Sequence, residues 1–299
     1  MERNNYWIRF ILLMMVVCSS YTIGLHADDG SHLWFNQQSN NSTAQVTLKG
    51  KASPTTDIAV QELKEAWTGA PIVLQRQKQK GMKQDGFSIR STANTIQLTS
   101  PSDIGLLYGA YRLLQMQAAG SSLQDLNIDE NPFHDIRVLD HWDNLDGNSE
   151  RGYAGKSIFW NVEGFPRSIG MNQTENIRNN PLLNPMYARA NASIGINGAV
   201  LNNVNASPKM LTPEVLVMTR QYADALRPYG IKVYLAVNFS SPVVLDGLKT
   251  ADPLDKEVQQ WWMQKAREIY RLIPDFGGFL VKANSEGQPG PMDFGRTHA

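Results

Sequence analysis

The sequence predicts an α/β protein in which a small α+β amino-terminal domain, residues 28–134, is followed over 135–299 by the parallel βα units of a barrel. Three observations carry that prediction. From Asp135 onward, short apolar runs alternate with amphipathic helical segments, the pattern of a parallel sheet with crossover helices. Each of four such runs ends in a cluster of Asn, Asp, Trp, His or Glu, as strand carboxyl ends do where loops gather functional groups on one face of a barrel. The first of these ends, His141-Trp-Asp-Asn-Leu-Asp-Gly147, lacks the Gly-rich phosphate turn that a doubly wound open sheet would favour.

Composition permits a full core and narrows the partners. Of 299 residues 42% are hydrophobic, and 28 Lys+Arg balance 28 Asp+Glu, so the formal net charge is zero. No basic stripe points to nucleic acid. The amino terminus reads as an export signal over residues 1–27: Arg3 and Arg9 precede the apolar run Phe10–Cys18, and Ala27 supplies a small residue at its end. That run is too short to span a bilayer, so a periplasmic or extracellular location without a membrane span is expected. Cys18, the single cysteine, is also readable as a lipid-attachment site, although Val17 before it is bulky for that cleavage. The five histidines show no paired ligand spacing, so a metal is not implied, and no cofactor is expected.

In the first domain Val46–Leu48, Pro71–Leu74, Phe87–Ile89 and Thr95–Leu98 are strand candidates. Asp57 is placed to cap a helix carrying Val60, Leu63 and Trp67 on one face, and Asp103 a second carrying Ile104, Leu107, Tyr111 and Leu114. The polar stretch Gln75–Lys83 reads as a hairpin tip. In the second part the strands are Ile136–Asp140, Ile196–Leu201, Ile231–Val237 and the run Phe279–Val281. Thr212 and Pro213 open a helix bearing Val215, Met218 and Tyr222, closed by Pro228 and Gly230. Asp255 caps another, with Val258, Trp262, Ala266, Ile269 and Ile273 on its face.

The chemistry concentrates after the last strand. Lys282, Asn284 and Glu286 fall on alternate positions that a period-2 strand would project to one side, ahead of a rigid Gly/Pro loop. The bland alternative is a strand ending in a solvated polar loop. Trp142 and Trp160 are able to stack on sugar faces, and Asn202, Asn203, Asn205, Asn238 and Asn284 to bond hydroxyls, although Trp is as often core. Glycoside hydrolysis needs one carboxylic acid at the leaving oxygen and a second carboxylate, and Glu286 is the acid candidate. Apolar neighbours such as Phe279 and Phe294 would raise its pKa, whereas Lys282 would oppose that unless a bound anion held its charge.

At these residues the chain resembles a known family. Asp140-His-Trp-Asp-Asn-Leu-Asp-Gly147, Glu150-Arg-Gly-Tyr-Ala-Gly-Lys-Ser-Ile-Phe-Trp160, Asn197-Gly-Ala-Val-Leu-Asn-Asn-Val-Asn-Ala206, Arg227-Pro-Tyr-Gly-Ile-Lys-Val-Tyr234, Gly247–Asp255 and Gly278–Pro291 are similar, in order, to the α-glucuronidases of glycoside hydrolase family 67. Asp103–Leu114 resembles, more loosely, a helix of that family's amino-terminal domain.

The resemblance implies an inverting, metal-free enzyme that removes α-1,2-linked (4-O-methyl)glucuronic acid from xylo-oligosaccharides. It makes Glu286 the general acid and Lys282 a partner of the substrate carboxylate, with Trp142, Asp143, Trp160, Asn202, Asn203 and Val204 as looser substrate contacts. Val204 would meet a 4-O-methyl group. The resemblance also makes residues 135–299 the first half of a (β/α)8 TIM barrel, about four βα units. The water-activating carboxylates are then expected beyond Ala299, the 299 residues alone are expected to be inactive, and a homodimer of the full-length protein stays open. Two other readings remain. A β-hexosaminidase-like barrel would need Asp immediately before its catalytic Glu, where Ser285 stands; a non-catalytic carbohydrate-binding protein would explain the Trp and Asn without any acid.

Overall fold

The computed structural model describes residues 44–160, apart from Ala93, and 183–298. The predicted export signal and Cys18 lie outside the described residues. Among the described residues no helix is long and apolar enough to cross a membrane. Everything described belongs to one compact unit, residues 37–299.

A five-stranded mixed sheet comes first, in the order β1 (Val46–Lys49), β2 (Ile72–Arg76), β4 (Ile96–Ser100), β3 (Phe87–Ser91), β5 (Asn127–Glu130). The β1, β2 and β4 strands run parallel, and β3 is antiparallel to both its neighbours. Helix α1 (Pro54–Ala66) joins β1 to β2, and helix α2 (Asp103–Ala118) follows β4. All four strands expected here are present, and β5 is a fifth that the sequence did not announce. Because β4 lies between β2 and β3, the polar stretch Gln75–Lys83 is no hairpin tip; its first two residues belong to β2 and the rest to a crossing loop.

Both helix caps are serines ahead of the expected carboxylates, four residues before Asp57 and one before Asp103. Ser53 caps α1, accepting from Thr56 N while the Thr56 hydroxyl accepts from Ser53 N, a reciprocal capping box. Ser102 caps α2, accepting from Gly105 N. Asp57 and Asp103 instead stand within the first turns, where a negative charge suits the helix dipole.

Helix α2 is buried nearly all round, with Leu106, Leu107, Ala110, Tyr111, Leu113 and Leu114 at 0% exposure. Such a helix needs partners on both sides. One side lies on the sheet at glycine-only distance: a Cβ at Gly109 would stand 2.3 Å from Leu98 Cδ1. The other side meets the second half of the chain, where Gln115 Nε2 donates to Ser193 O at 2.6 Å and Tyr108 OH to Ile196 O at 3.5 Å.

The second sheet is all parallel, with four strands in sequence order: β6 (Val138–Asp140), β7 (Gly198–Val200), β8 (Lys232–Val237) and β9 (Gly278–Val281). Between them run α3 (Leu183–Ser193), α4 (Pro213–Leu226), α5 (Ser241–Asp246) and α6 (Lys256–Leu272). One sheet face supplies Ala199, Val233, Leu235 and Val237 to a large core shared with Val215, Leu216, Trp261 and Ile269 of the helices. The opposite face carries a smaller cluster, Val200, Ala206 and Ala236 with Val138, Tyr234 and Leu280 packed against it.

Helix α6 is capped as expected, Asp255 accepting from Glu257 N and Val258 N. Its buried tryptophan is Trp261, whose indole donates to Asp246 of α5, while Trp262 packs at the margin. Parallel pairing puts all four strand carboxyl ends, and the loops that follow them, along one edge.

Candidate active site

The connection after β6, residues 141–160, is folded around one buried carboxylate. Asp143 is 4% exposed and accepts four hydrogen bonds within the loop: from Ser149 Oγ at 3.1 Å, Ser157 Oγ at 2.6 Å, Ile158 N at 2.7 Å and Phe159 N at 3.3 Å. A carboxylate so fully engaged fixes the loop and has little left for a ligand. His141 beneath it shares a hydrogen bond with Tyr187 OH at 2.7 Å, and burial holds its pKa below the ordinary range, with Asp143 opposing.

Of the two tryptophans, Trp142 alone keeps an open surface, at 37% exposure. Trp160 is 1% exposed, donates its indole N–H to Leu201 O at 2.7 Å, and packs edge-on against Tyr222. It is therefore core, and of the two only Trp142 presents ring surface to solvent.

The asparagines after β7 divide in the same way. Asn202 is 2% exposed and grips both backbone groups of Ala236, its Nδ2 donating to Ala236 O at 3.1 Å and its Oδ1 accepting from Ala236 N at 2.9 Å. Asn203, 3% exposed, accepts from Asn205 N at 2.9 Å and donates to Glu150 O at 3.3 Å. Both are structural supports of the rim and not free hydroxyl partners. Val204 beside them is half-buried. A cavity of about 270 Å3 opens between these two loops, lined in part by Asp146, Asn203 and Asn205.

Strand β9 ends at Val281, so alternation does not govern the residues beyond it. Asn284 and Glu286 adopt left-handed backbone at φ 51° and 49°. Non-glycine residues hold that conformation only where their surroundings fix it. Here Gln288 N donates to Ser285 O at 2.9 Å, Asn238 Nδ2 to Gln288 Oε1 at 2.9 Å, and Asn284 Oδ1 accepts from Met292 N at 3.0 Å. Asn284 thus serves the loop, while Lys282 and Glu286 meet: Lys282 Nζ lies 2.5 Å from Glu286 Oε2 and 3.0 Å from Asn205 Oδ1.

Two residues absent from the expected site complete it. Arg151 Nη2 reaches the same Glu286 Oε2 at 3.3 Å, and Arg151 Nε lies 3.5 Å from Glu150 Oε1. Glu150, also left-handed at φ 56°, is 9% exposed, and its Oε2 is buried with no partner among the described residues. A desolvated carboxylate oxygen without a donor is costly unless a ligand hydroxyl satisfies it. The signal available in the sequence was a Glu-Arg pair enclosed by the turn glycines Gly147 and Gly152.

The site is therefore a chain of alternating groups, Asn205, Lys282, Glu286, Arg151 and Glu150. Its electrostatics correct one expectation. Lys282 first, then Arg151, holds the Glu286 carboxyl below its ordinary value. Phe279 does not raise it, because its ring packs on Phe276 at 5.2 Å between centroids.

A family model described as the glycosyl hydrolase family 67 middle domain matches residues 116–299, and one described as glycosyl hydrolase family 20, domain 2, matches residues 20–130. The chain is 41% identical over 213 residues to alpha-glucuronidase A of Aspergillus tubingensis, covering 71% of this chain and 24% of that protein. To the alpha-glucuronidase of Hypocrea jecorina it is 39% identical over 224 residues, covering 73% of this chain and 25% of that protein. The chain spans about a quarter of the length of the curated relatives it matches. A solved GH138 enzyme targeting pectin rhamnogalacturonan II superposes with a TM-score of 0.51 at 14% identity, over 79% of this chain and 30% of that one, a likeness of fold alone. The family 67 model takes in more than half of the chain, including Lys282, Glu286, Arg151 and Glu150, and the chain belongs to glycosyl hydrolase family 67.

Proposed function

We propose that these residues are part of an exported α-glucuronidase that cleaves α-1,2-linked (4-O-methyl)glucuronic acid from xylo-oligosaccharides with inversion. The observation that carries this reading is the Lys282–Glu286 pair, 2.5 Å apart at the carboxyl end of a parallel strand. Glu286 is the general acid at the leaving oxygen, and Lys282 exchanges Glu286 for the substrate carboxylate. Trp142 offers the stacking surface and Glu150 Oε2 an acceptor for a sugar hydroxyl, while half-buried Val204 is the candidate contact for a 4-O-methyl group.

The four parallel strands in sequence order, with helices between them, support reading this sheet as the start of a (β/α)8 barrel. An inverting reaction also requires a base on the opposite face of the sugar ring. No described carboxylate is assigned that role. Asp143 is consumed by its four donors, Asp146 by Asn148, and Asp293 by Gly290 N. We place the base in the greater part of the longer relatives that these residues do not span.

A hexosaminidase reading draws on the family 20 model, but that match ends at residue 130 and leaves the Glu286 loop, with Ser285 before the acid, outside it. The deciding assay offers the full-length gene product aldouronic acids, N-acetylglucosaminides and unsubstituted xylo-oligosaccharides. Release of glucuronic acid from the first alone is expected. Release of N-acetylglucosamine, or binding without any release, would replace this function with one of the two alternatives.

A further inference from the structure

Both cations at Glu286 converge on a single oxygen, Oε2, from different elements: Lys282 from the end of β9 and Arg151 from the connection after β6. A carboxylate oxygen of a ligand placed there would meet both at once. We propose that Lys282 and Arg151 form a two-cation clamp that keeps Glu286 ionised until an anionic sugar takes its place, so that the substrate's own carboxylate arms the acid. Arg151 is then a substrate-binding residue that discriminates uronates from neutral sugars in the chemical step as well as in binding. The inference rests on the α-glucuronidase reading and deepens it.

The surroundings of Glu286 favour such a switch. Among the described residues the charged and titratable groups around it are Lys282, Arg151, Glu150 and Tyr153. The β7 loop contributes only neutral Asn205, which bonds Lys282. Asp293 is turned to Gly290 N, and His298 shares a hydrogen bond with Asn284. With both cations diverted to a uronate, Glu286 is left beside that anion and near Glu150, and like charges favour the protonated form. The left-handed loop is pinned by Ser285, Gln288 and Asn238 and not by the ion pair, so release changes the proton at Glu286 more than its place.

The proton balance is simple. On binding, the uronate pairs with Lys282 and Arg151, and Glu286 takes one proton from solvent. In the reaction that proton passes to the glycosidic oxygen as the C1–O bond breaks, while water adds hydroxide to C1 and yields its other proton to the base.

The test uses the full-length enzyme. Binding of glucuronic acid, measured calorimetrically in buffers of different ionisation enthalpy, should take up about one proton at a pH between the free and bound values of the acid, whereas glucose should take up none. In pH–rate profiles the basic limb of kcat should lie at higher pH than that of kcat/KM, because the first reports the complex and the second the free enzyme. Arg151→Met should raise the kcat/KM limb toward the kcat limb and reduce the proton uptake, and Arg151→Lys should restore the separation. Coincident limbs, glucuronate binding without proton uptake, or an Arg151→Met variant slowed equally at every pH would overturn the clamp and leave the α-glucuronidase reading standing. An enzyme that neither binds nor releases glucuronic acid would remove that reading and the clamp with it.

Discussion

Arg189 on α3 reaches Glu62 on α1 with two parallel hydrogen bonds, Nε to Oε1 at 2.6 Å and Nη2 to Oε2 at 2.8 Å, tying the first sheet's helices to the second half of the chain. Tyr111 of α2 donates to the same carboxylate at 3.1 Å, and burial followed by the charge of Glu62 pushes its phenol far above the ordinary range.

Breaking this fork leaves a buried charge with fewer donors. Arg189→Met should cost about 1.5–3 kcal/mol in chemical unfolding, the range for hydrogen bonds to charged groups. The double variant Arg189→Met/Glu62→Leu should recover part of that loss, since no orphan charge remains. An Arg189→Met protein as stable as the parent would show that the fork contributes only orientation.

For Glu286, the Glu286→Gln substitution in the full-length enzyme should slow hydrolysis of natural aldouronic acids about 10²–10⁴-fold. An artificial glucuronide whose leaving group needs no protonation should lose far less. Equal losses on both substrates would remove Glu286 from the acid's role.

Lys282 has a side chain only 16% exposed, and its pairing with a uronate would be a largely desolvated one. Lys282→Met should weaken glucuronic acid binding by about 2–5 kcal/mol, as truncating one member of a buried charge pair does. Affinity for xylose oligomers without the acid should hardly move, and calorimetry on both ligands makes the comparison.

His141 sets a pH dependence. Burial holds its folded pKa below the ordinary 6.5, so the unfolded chain binds its proton first as pH falls. The stability tied to neutral His141 is fully present above 6.5 and is lost as pH falls through the lower folded value. Thermal unfolding of the parent should therefore decline through that interval, while His141→Gln, which keeps a polar partner for Tyr187, should start less stable and decline less. Parallel curves would assign the acid sensitivity to other groups.

The strands were legible because runs such as Val233–Val237 and Ile96–Leu98 are apolar enough to declare themselves. Strand β5 was not: Asn127-Ile-Asp-Glu130 offers one apolar residue and is recruited as an edge by pairing with β3. The capping carboxylates were misplaced by the same kind of competition, since Ser53 and Ser102 reach the free N–H groups from outside the first turns that hold Asp57 and Asp103.

In the site, Lys282 and Glu286 were readable from type and spacing, although the left-handed loop, not strand alternation, brings them together. Asp143, Trp160, Asn202 and Asn203 share the residue types of a sugar site, yet buried backbone groups claim them first. Asp143 is claimed inside its own loop, whereas the demands on Trp160, Asn202 and Asn203, like the reach of Arg151 to Glu286, arise only when loops distant in sequence meet.

The grip of Asn202 on both polar groups of Ala236 amounts to a side-chain amide standing in for one more peptide unit of β7. The main chain is free to leave the sheet a residue early, and β8 still finds its ladder complete. The rim that follows, Asn203 to Ala206, is then held by contacts of its own, Asn203 N donating to Asp143 O at 2.8 Å and Asn238 Nδ2 to Ala206 O at 3.0 Å, rather than by the β7–β8 ladder. Asn is the only residue of its length that both donates and accepts through a planar amide, and Asp at this position would set a carboxylate against the Ala236 carbonyl.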